Sequence, residues 1–453
     1  MIRYNLAQRL AHARVAIQHL PRTQVTGQIS GLNSLAAQVV GLSQHIAVGD
    51  QVVLGNSQAG AMIGEVASVQ RGIAHVLTFD PLLGLGEGDP VARTRHSGAL
   101  HVSAAWLGRV LDPLGRPLDG KGPLPAGPLG RPVRASPPPA IQRARLGPKL
   151  DLGVRALDLF TPCRQGQRLG LFAGSGIGKS TLLATLARFT RCDVVVLALV
   201  GERGREVREF LEDDLGPEGL ARAVIVVATS DAPPLMRRQA GYAAMTVAEH
   251  FRDQGKSVLL LADSITRFCQ ALREIALAAG EPPATRGFPA SVFAELPRLL
   301  ERAGPGMPGP DGIAGQITAF FTVLVEGDDH NEPVADATRG ILDGHVILDR
   351  KIADAGRYPP IDVLRSLSRG AQGCLEPAQS QLIRQARAIL AQYASMADML
   401  RLGAYRMGTD PAVDDAIRRG PRIEALLQQE KGTFMHTEDS FAALHDILAG
   451  DGG

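Results

Sequence analysis

The segment RLGLFAGSGIGKSTLLATLARF, residues 168–189, decides how the rest of the chain folds. Its first five residues predict a short apolar strand, and an amphipathic helix begins at Lys179. The glycine-rich turn from Ala173 to Gly178 joins the two, which is the P-loop arrangement. Glycines let successive backbone N–H groups point at a phosphate, and the helix N-terminus adds the positive end of its dipole. The segment therefore predicts binding of a nucleoside triphosphate.

Each position of the loop has a chemical task. Lys179 supplies a point charge for the β- and γ-phosphates, and the Ser180 hydroxyl is placed to bind Mg²⁺. The first position of the motif holds Ala173, a small residue where glycine is usual. The predicted phosphate-binding residues are Gly174, Ser175, Gly176, Ile177, Gly178, Lys179, Ser180 and Thr181.

Composition narrows the class of protein. The chain has 453 residues, enough for about three domains. A formal net charge of +2 is too balanced to indicate nucleic acid as the main partner. No apolar run approaches the roughly 20 residues that span a bilayer. The four cysteines are scattered, which favours buried thiols in a reducing compartment over disulfides or a metal site.

The N-terminal part divides into an arm and a β-rich region. Residues 1–20 form a predicted basic amphipathic arm, with no Asp or Glu before Asp50. Such an arm can dock on a partner helix or an anionic membrane surface, although a helix packed on the body or a cleaved transit peptide would look similar. Residues 21–95 alternate short apolar segments with glycine, which predicts a small β-barrel. The turn-rich and proline-rich stretch from Gly108 to Ala140 predicts a connector without regular structure.

Alternating apolar runs and helical patterns follow the P-loop. The runs 193–200, 223–229, 257–263 and 317–325 are typical of a parallel sheet covered on both faces. Ligands collect at the carboxyl ends of such strands, and that rule selects Glu202 and Asp263. Asp263 is the predicted Mg²⁺ ligand beside Ser180, and Glu202 is the predicted base that orients the attacking water. Without its strand-end position, Glu202 would be interpreted as a surface carboxylate paired with arginine.

The C-terminal part is predicted to be helical. One helix should begin near Pro377 and stop at Gly403, and shorter helices should follow Pro411 and Thr437.

Several longer segments resemble the ATPases of bacterial type III protein export, which are related to the catalytic subunit of rotary ATP synthase. They are GRVLDPLGRPLDG (108–120), VGERGREVREFLEDDLG (200–216), REIALAAGEPPATRGFPASVFAELPRLLERAG (273–304), TVLVEGDDHNEPVAD (322–336) and ILDGHVILDRKIADAGRYPPIDVLRSLSR (341–369). The resemblance covers essentially the whole chain, and FAGSGIGKST is most similar to the flagellum-specific branch. Gln316 departs from the serine usual in the family, and the acidic, leucine-rich loop of rotary subunits has no counterpart.

The resemblance implies an α/β fold with a RecA-like P-loop NTPase core (96–370), an N-terminal β-barrel (21–95) and a C-terminal helical domain (371–453). It assigns catalytic roles to Lys179, Glu202, Arg203 and Asp263. Arg369 would be an arginine finger that reaches into a neighbouring subunit, although alone it would be interpreted as a solvated arginine. Tyr358 would stack on adenine, although a tyrosine there is more often a core or interface residue.

The resemblance also implies partners and a location. It predicts a homohexameric ATP hydrolase in the cytoplasm, peripheral to an export gate in the inner membrane. A stalk-type regulator would bind the N-terminal arm, and export substrates and their chaperones would be further partners, without nucleic acid.

Four alternatives remain at this point. A virulence-type secretion ATPase would differ in gene context, and a rotary synthase subunit would need a second ring subunit and a membrane sector. A non-catalytic nucleotide-binding subunit is disfavoured because Glu202 is an acid. An RNA-translocating ring is weaker still, since the barrel has no aromatic RNA-binding motif.

Overall fold

The computed structural model describes residues 25–33, 35–55, 61–94, 98–309, 312–325 and 332–450. The predicted arm, residues 1–20, lies outside the described residues. The chain divides into two compact units, Met1–Ser97 and Gly98–Gly453.

The first unit contains a closed β-barrel, as predicted. Short alternating segments close on themselves because each strand buries one face. The neighbouring strands pair in the order β1-β2-β5-β4-β3-β6, with β6 returning to β1. Val39, Val52, Val66 and Val76 fill the interior. The six strands are β1 (Thr26–Leu32), β2 (Ala36–Val40), β3 (Gln51–Leu54), β4 (Met62–Gln70), β5 (Ile73–Thr78) and β6 (Pro90–Arg93).

The second unit is built on a nine-stranded, mostly parallel sheet. Eight strands lie in the order β17-β16-β10-β15-β13-β11-β12-β7, and the ninth, β14, pairs with β15. The strands are β7 (Arg109–Leu111), β10 (Arg168–Ala173), β11 (Val194–Glu202), β12 (Ala223–Thr229), β13 (Ser257–Asp263), β14 (Gly304–Pro305), β15 (Gln316–Leu324), β16 (Gly344–Ile347) and β17 (Leu367–Ser368). A separate two-stranded sheet pairs β8 (Lys149–Leu150) with β9 (Cys163–Arg164).

One expectation about the connector is wrong. The stretch after Gly108 does not lack regular structure, because Arg109–Leu111 is a strand that pairs in parallel with β12. Three residues are too few for a periodic signal, and the strand exists only because the edge of β12 needs a hydrogen-bonding partner.

Helices cover the sheet and form the C-terminal part. In the core they are α1 (Arg155–Phe160), α2 (Lys179–Phe189), α3 (Gly204–Glu209), α4 (Gly216–Ala221), α5 (Pro234–Arg252), α6 (Ile265–Ala278), α7 (Ala290–Leu300), α8 (Pro333–Ile341) and α9 (Arg350–Asp354). A π-helical turn, Phe210–Leu215, joins α3 to α4. The C-terminal helices are α10 (Pro377–Arg401), α11 (Pro411–Leu427) and α12 (Thr437–Ala449). Together with the barrel and the sheet, they confirm the predicted fold class.

Among the described residues, no helix has the length and apolar character needed to cross a membrane.

Candidate active site

The phosphate loop lies at the carboxyl end of β10, where the chain turns into α2. Gly176 and Gly178 have φ values of +75° and +89°, a left-handed conformation that residues with a Cβ rarely adopt. The space where a Gly176 Cβ would stand is open. A cradle of this kind, with a helix N-terminus behind it, is suited to a phosphate group.

Three charged side chains meet beside this loop. The Lys179 ammonium, at the start of α2, lies 2.5 Å from Asp263 Oδ1 and 3.3 Å from Glu202 Oε1. Glu202 ends β11 and Asp263 ends β13, and these two strands are neighbours in the sheet. The structure therefore brings together three of the residues that the sequence selected separately.

The electrostatics of the cluster follow from its burial. Burial lowers the pKa of Lys179, but the carboxylates of Asp263 and Glu202 outweigh it, so that the pKa is raised. Burial also raises the pKa of Glu202, and the nearby Asp263 and Glu206 act in the same direction while Lys179 opposes them. Glu202 is thus a carboxylate that holds a proton more readily than an exposed one, a useful property in a group that must accept a proton during the reaction.

A fourth residue, Thr322, holds the Asp263 carboxylate from the adjacent strand β15. Its hydroxyl donates to Asp263 Oδ1 at 2.7 Å and lies 3.2 Å from the carbonyl oxygen of Ala262. Thr322 is fully buried. Its role has no signature in the sequence, because a threonine inside an apolar run looks like an ordinary β-branched strand residue.

The oxygen atoms at the site are compatible with Mg²⁺. Asp263 offers a carboxylate, and Ser180 lies exposed in the first turn of α2. The described residues contain no group of three or more His, Cys, Asp or Glu side chains that could hold a metal. Mg²⁺ commonly binds through one or two protein oxygens with substrate phosphates and water completing its shell, so this sparse donor set fits it.

A cavity of about 160 Å³ opens on the other side of the P-loop. The Tyr358 ring approaches within 3.6 Å of the position that a Gly178 Cβ would occupy, so this tyrosine lies against the phosphate loop. Tyr358 is 47% exposed, which leaves part of its surface open for stacking. The other walls come from Val154, Leu182, Pro359 and the C-terminal segment Gln429, Glu430 and Lys431.

Two predicted site residues lie apart from this cluster. Arg203 precedes α3 and is 81% exposed, with its guanidinium 3.3 Å from Glu206 rather than against Glu202. Arg369 follows β17, and its backbone N–H donates to the Asp343 carbonyl at the amino-terminal edge of the sheet. The six-residue strand β10 separates that edge from the P-loop by roughly 17 Å at about 3.3 Å per residue. Arg369 is therefore remote from the phosphate loop of its own chain.

Two further contacts were not foreseen. Arg350, which follows β16, donates to the carbonyl oxygen of Ser175 in the P-loop at 2.8 Å. Its place beyond the carboxyl end of a parallel strand could have indicated it. Gln316, the departure from the family, extends over Gly147 and Gly166, whose missing side chains leave room for it.

Comparisons with known proteins agree with this fold. Residues 153–368 match the nucleotide-binding domain of the ATP synthase alpha/beta family, and residues 375–446 match the C-terminal domain of the type III secretion ATPase EscN. The flagellum-specific ATP synthase of Caulobacter vibrioides is 50% identical over 434 residues, which are 96% of this chain and 98% of that protein.

Two solved structures have the same architecture. The assembled ATPase EscN from the type III secretion system of enteropathogenic E. coli matches with a TM-score of 0.85 and 37% identity, covering 93% of this chain and 100% of EscN. EscN in complex with its central stalk EscO matches with a TM-score of 0.83 at the same identity and coverage.

Proposed function

Because the chain belongs to the flagellum-specific and type III secretion ATPases of the ATP synthase alpha/beta family, we propose that it hydrolyses ATP to energise flagellar protein export. The observation that carries this proposal is the meeting of Lys179 with Glu202 and Asp263 beside the P-loop. A protein that only bound nucleotide would not need a second carboxylate, that of Glu202, beside Lys179 and Asp263. The identity of 50% to a flagellum-specific relative favours flagellar export over a virulence-type secretion system.

The chain's own residues account for the steps of hydrolysis. The loop Gly174–Thr181 binds the phosphates through its backbone N–H groups, and Lys179 leaves its carboxylate partners for the phosphate oxygens. Glu202 accepts a hydrogen bond from the attacking water and orients it toward the γ-phosphorus. The bond between that phosphorus and the bridging oxygen of ADP breaks, and the proton of the water leaves through Glu202. Ser180 and Asp263 would hold Mg²⁺, which supplies positive charge against the phosphate oxygens.

The position of Arg369 supports a ring of identical subunits. Arg369 is exposed and lies at the edge of the sheet opposite the P-loop, so it can contact only a nucleotide that is bound to a neighbouring copy. The assembled form of the similar EscN supports the same arrangement. We therefore propose a homohexamer in which each Arg369 completes the next site, while Arg203 would help to hold the base Glu202 and the nucleotide site.

We also propose the partners expected from the family. A stalk-type protein would regulate the ring, with residues 1–20 as its docking arm, and the EscN–EscO complex supports such a partner. Export substrates and their chaperones would meet the ring on the cytoplasmic side of an inner-membrane export gate.

The proposed reaction is tested by separating binding from turnover. We expect Glu202→Gln to bind Mg-ADP within a few-fold of the unaltered chain but to lower kcat by two or more orders of magnitude, because the amide cannot accept the proton. Lys179→Ala should weaken both properties, since it removes the charge that holds the phosphates. Phosphate release and calorimetric titration measure the two quantities. Near-normal turnover by the Gln variant would refute the role of Glu202.

A further inference from the structure

Gln429 is the side chain with the most connections around the cavity beside the P-loop. It follows α11, is only 7% exposed, and is a wall residue of the cavity. Its amide nitrogen donates to the carbonyl oxygens of Gly153 and Thr433, both at 2.8 Å. Its amide oxygen accepts from the backbone N–H of Arg155 at 3.1 Å. The orientation of the amide is fixed, because two carbonyl groups require the donor and one N–H requires the acceptor.

The backbone of the same residue adds a fourth bond. The Gln429 N–H donates to the carbonyl oxygen of Tyr358 at 2.8 Å. One residue thus joins three segments that are far apart in the chain: the stretch before α1, the Tyr358 loop and the C-terminal segment. Each of these segments contributes to the cavity, through Val154, Tyr358 and residues 429–431 respectively.

Other contacts also hold the C-terminal segment against the core, among them the Arg155 guanidinium, which donates to the carbonyl oxygen of Leu426 at 2.6 Å. Lys431 lies 2.6 Å from Asp214 in the π-helical turn, but the lysine side chain is 56% exposed. An exposed ion pair contributes little to fixing a position. Among the C-terminal residues that line the cavity, the buried amide of Gln429, with both its hydrogens donated, is therefore the contact that sets where this wall stands.

We propose that Gln429 is a positioning residue for the nucleotide base. This proposal rests on the proposed function, because it requires the cavity to receive the base of ATP. Both amide hydrogens are used by carbonyl groups, so Gln429 has no hydrogen left to donate to the base. It fixes the distance between the C-terminal segment and the Tyr358 ring, and that distance decides whether a flat base fills the gap. The C-terminal helices thereby take part in nucleotide binding without contacting phosphate.

The chain offers a matched pair of variants. Gln429→Glu keeps the shape but places a carboxylate oxygen against the carbonyls of Gly153 and Thr433, which forces the segment away. Gln428→Glu introduces the same charge one residue earlier, at an exposed position. Gln429→Asn is a second variant, because its shorter amide cannot reach all three partners.

The test compares a ligand that has a base with one that has none. Binding of Mg-ADP and of Mg-pyrophosphate to the full chain would be measured by titration, together with KM and kcat for ATP. We expect Gln429→Glu to weaken ADP binding and raise KM by at least tenfold, with pyrophosphate binding within twofold and kcat within threefold. Gln429→Asn should show a smaller effect in the same direction, and Gln428→Glu should match the unaltered chain.

Three outcomes would overturn the proposal. Unchanged ADP binding in Gln429→Glu would show that the amide does not set the pocket. Equal losses of ADP and pyrophosphate binding would place its effect on the whole site, and unfolding of both Gln429 variants would make its role purely structural. Failure of the proposed function looks different, because the unaltered chain itself would then lack hydrolysis that depends on Lys179.

Discussion

At the scale of single residues, Asp263 Oδ1 accepts more hydrogen bonds than any other carboxylate oxygen of Asp263 and Glu202. It lies 2.5 Å from the Lys179 ammonium and accepts the Thr322 hydroxyl at 2.7 Å. The lysine is expected to leave when phosphate binds, whereas the threonine is part of strand β15 and stays. We therefore expect Thr322 to hold the Asp263 carboxylate after the lysine has left.

Thr322→Val tests this role. The change keeps the β-branched shape but removes the donor, so that the Asp263 carboxylate can rotate. We expect the Mg²⁺ concentration that half-saturates ADP binding to rise several-fold, while ADP binding without Mg²⁺ stays the same. Thr322→Ser should restore normal Mg²⁺ dependence because it keeps the hydroxyl. An equal loss of ADP binding with and without Mg²⁺ would contradict the prediction.

A second residue-scale prediction concerns Asp158, a buried carboxyl group that accepts the N–H groups of Leu152 and Val154 at 3.0 and 3.1 Å. Burial raises the pKa of Asp158 to about 7 from the ordinary 3.8, although the N–H of Leu152 and the charge of Lys149 oppose this. The folded protein then holds this proton more tightly than the unfolded chain does. The contribution of Asp158 to the free energy of unfolding is therefore full below pH 4 and falls as the pH rises toward 7, by about 1.4 kcal/mol per pH unit.

Asp158→Asn should remove that slope. Asn also leaves one backbone N–H without an acceptor and lowers stability at every pH, so the slope is the quantity to compare. Urea unfolding followed by Trp106, the one tryptophan of the chain, reports on the same compact unit. The control is Asp446→Asn, whose carboxylate is 83% exposed. Parallel pH profiles for the unaltered chain and Asp158→Asn would show that Asp158 is ionised throughout.

At the scale of secondary-structure elements, one buried ion pair joins three parts of the core. Arg302, which follows α7, is bidentate to Glu249 on α5, with N–O distances of 2.7 and 2.9 Å. The same guanidinium donates to the carbonyl oxygen of Val133 at 2.7 Å, which holds the proline-rich connector on the core. The Arg302 side chain is 0% exposed, so each of its hydrogen bonds must be made within the protein.

Glu249→Ala should destabilise the fold by about 3–5 kcal/mol, because it leaves a buried guanidinium without its counter-charge. Replacing both partners with apolar residues, Glu249→Leu and Arg302→Met, should recover part of that loss. The control is Glu209→Ala, which breaks the exposed Arg205–Glu209 pair and should lower the stability far less than Glu249→Ala does. Similar losses for Glu249→Ala and Glu209→Ala in urea unfolding would argue against a special role for the buried pair.

At the scale of the whole molecule, the parallel sheet places the phosphate loop and the proposed arginine finger on opposite edges. The carboxyl ends of β10, β11 and β13 carry the phosphate loop and the carboxylates, while the amino-terminal edge carries Arg369. Assembly into a closed ring would set the second edge of one subunit against the first edge of the next. A complete site then exists only between two copies.

Mixing two inactive variants tests this arrangement. Arg369→Ala should keep ATP binding and lose most turnover, since an arginine finger is typically worth about 10³–10⁵ in rate. A Lys179→Ala subunit keeps its finger, and an Arg369→Ala subunit keeps its P-loop. Mixed rings should therefore recover a fraction of the activity, measured as phosphate release against total protein concentration. Full activity of Arg369→Ala alone would refute the assignment, and no recovery in verified mixed rings would count against it.

The sequence by itself determined the elements whose signals are local. The P-loop is a contiguous strand, turn and helix, and two of its glycines, Gly176 and Gly178, adopt the positive φ that favours glycine. The barrel and the parallel sheet follow from the periodicity of apolar residues. The strand-end rule was sufficient to find Glu202 and Asp263, because parallel strands bring their carboxyl ends to one edge.

Only the tertiary structure decided which distant side chains support the site. Thr322 and Asp263 are 59 residues apart, and Gln429 and Gly153 are 276 apart. A hydrogen bond between such residues leaves no periodic trace, since it depends on strand register and on how the C-terminal helices pack. The three-residue strand β7 has the same origin, because the open edge of β12 provides its hydrogen bonds and its own residues show no strand pattern.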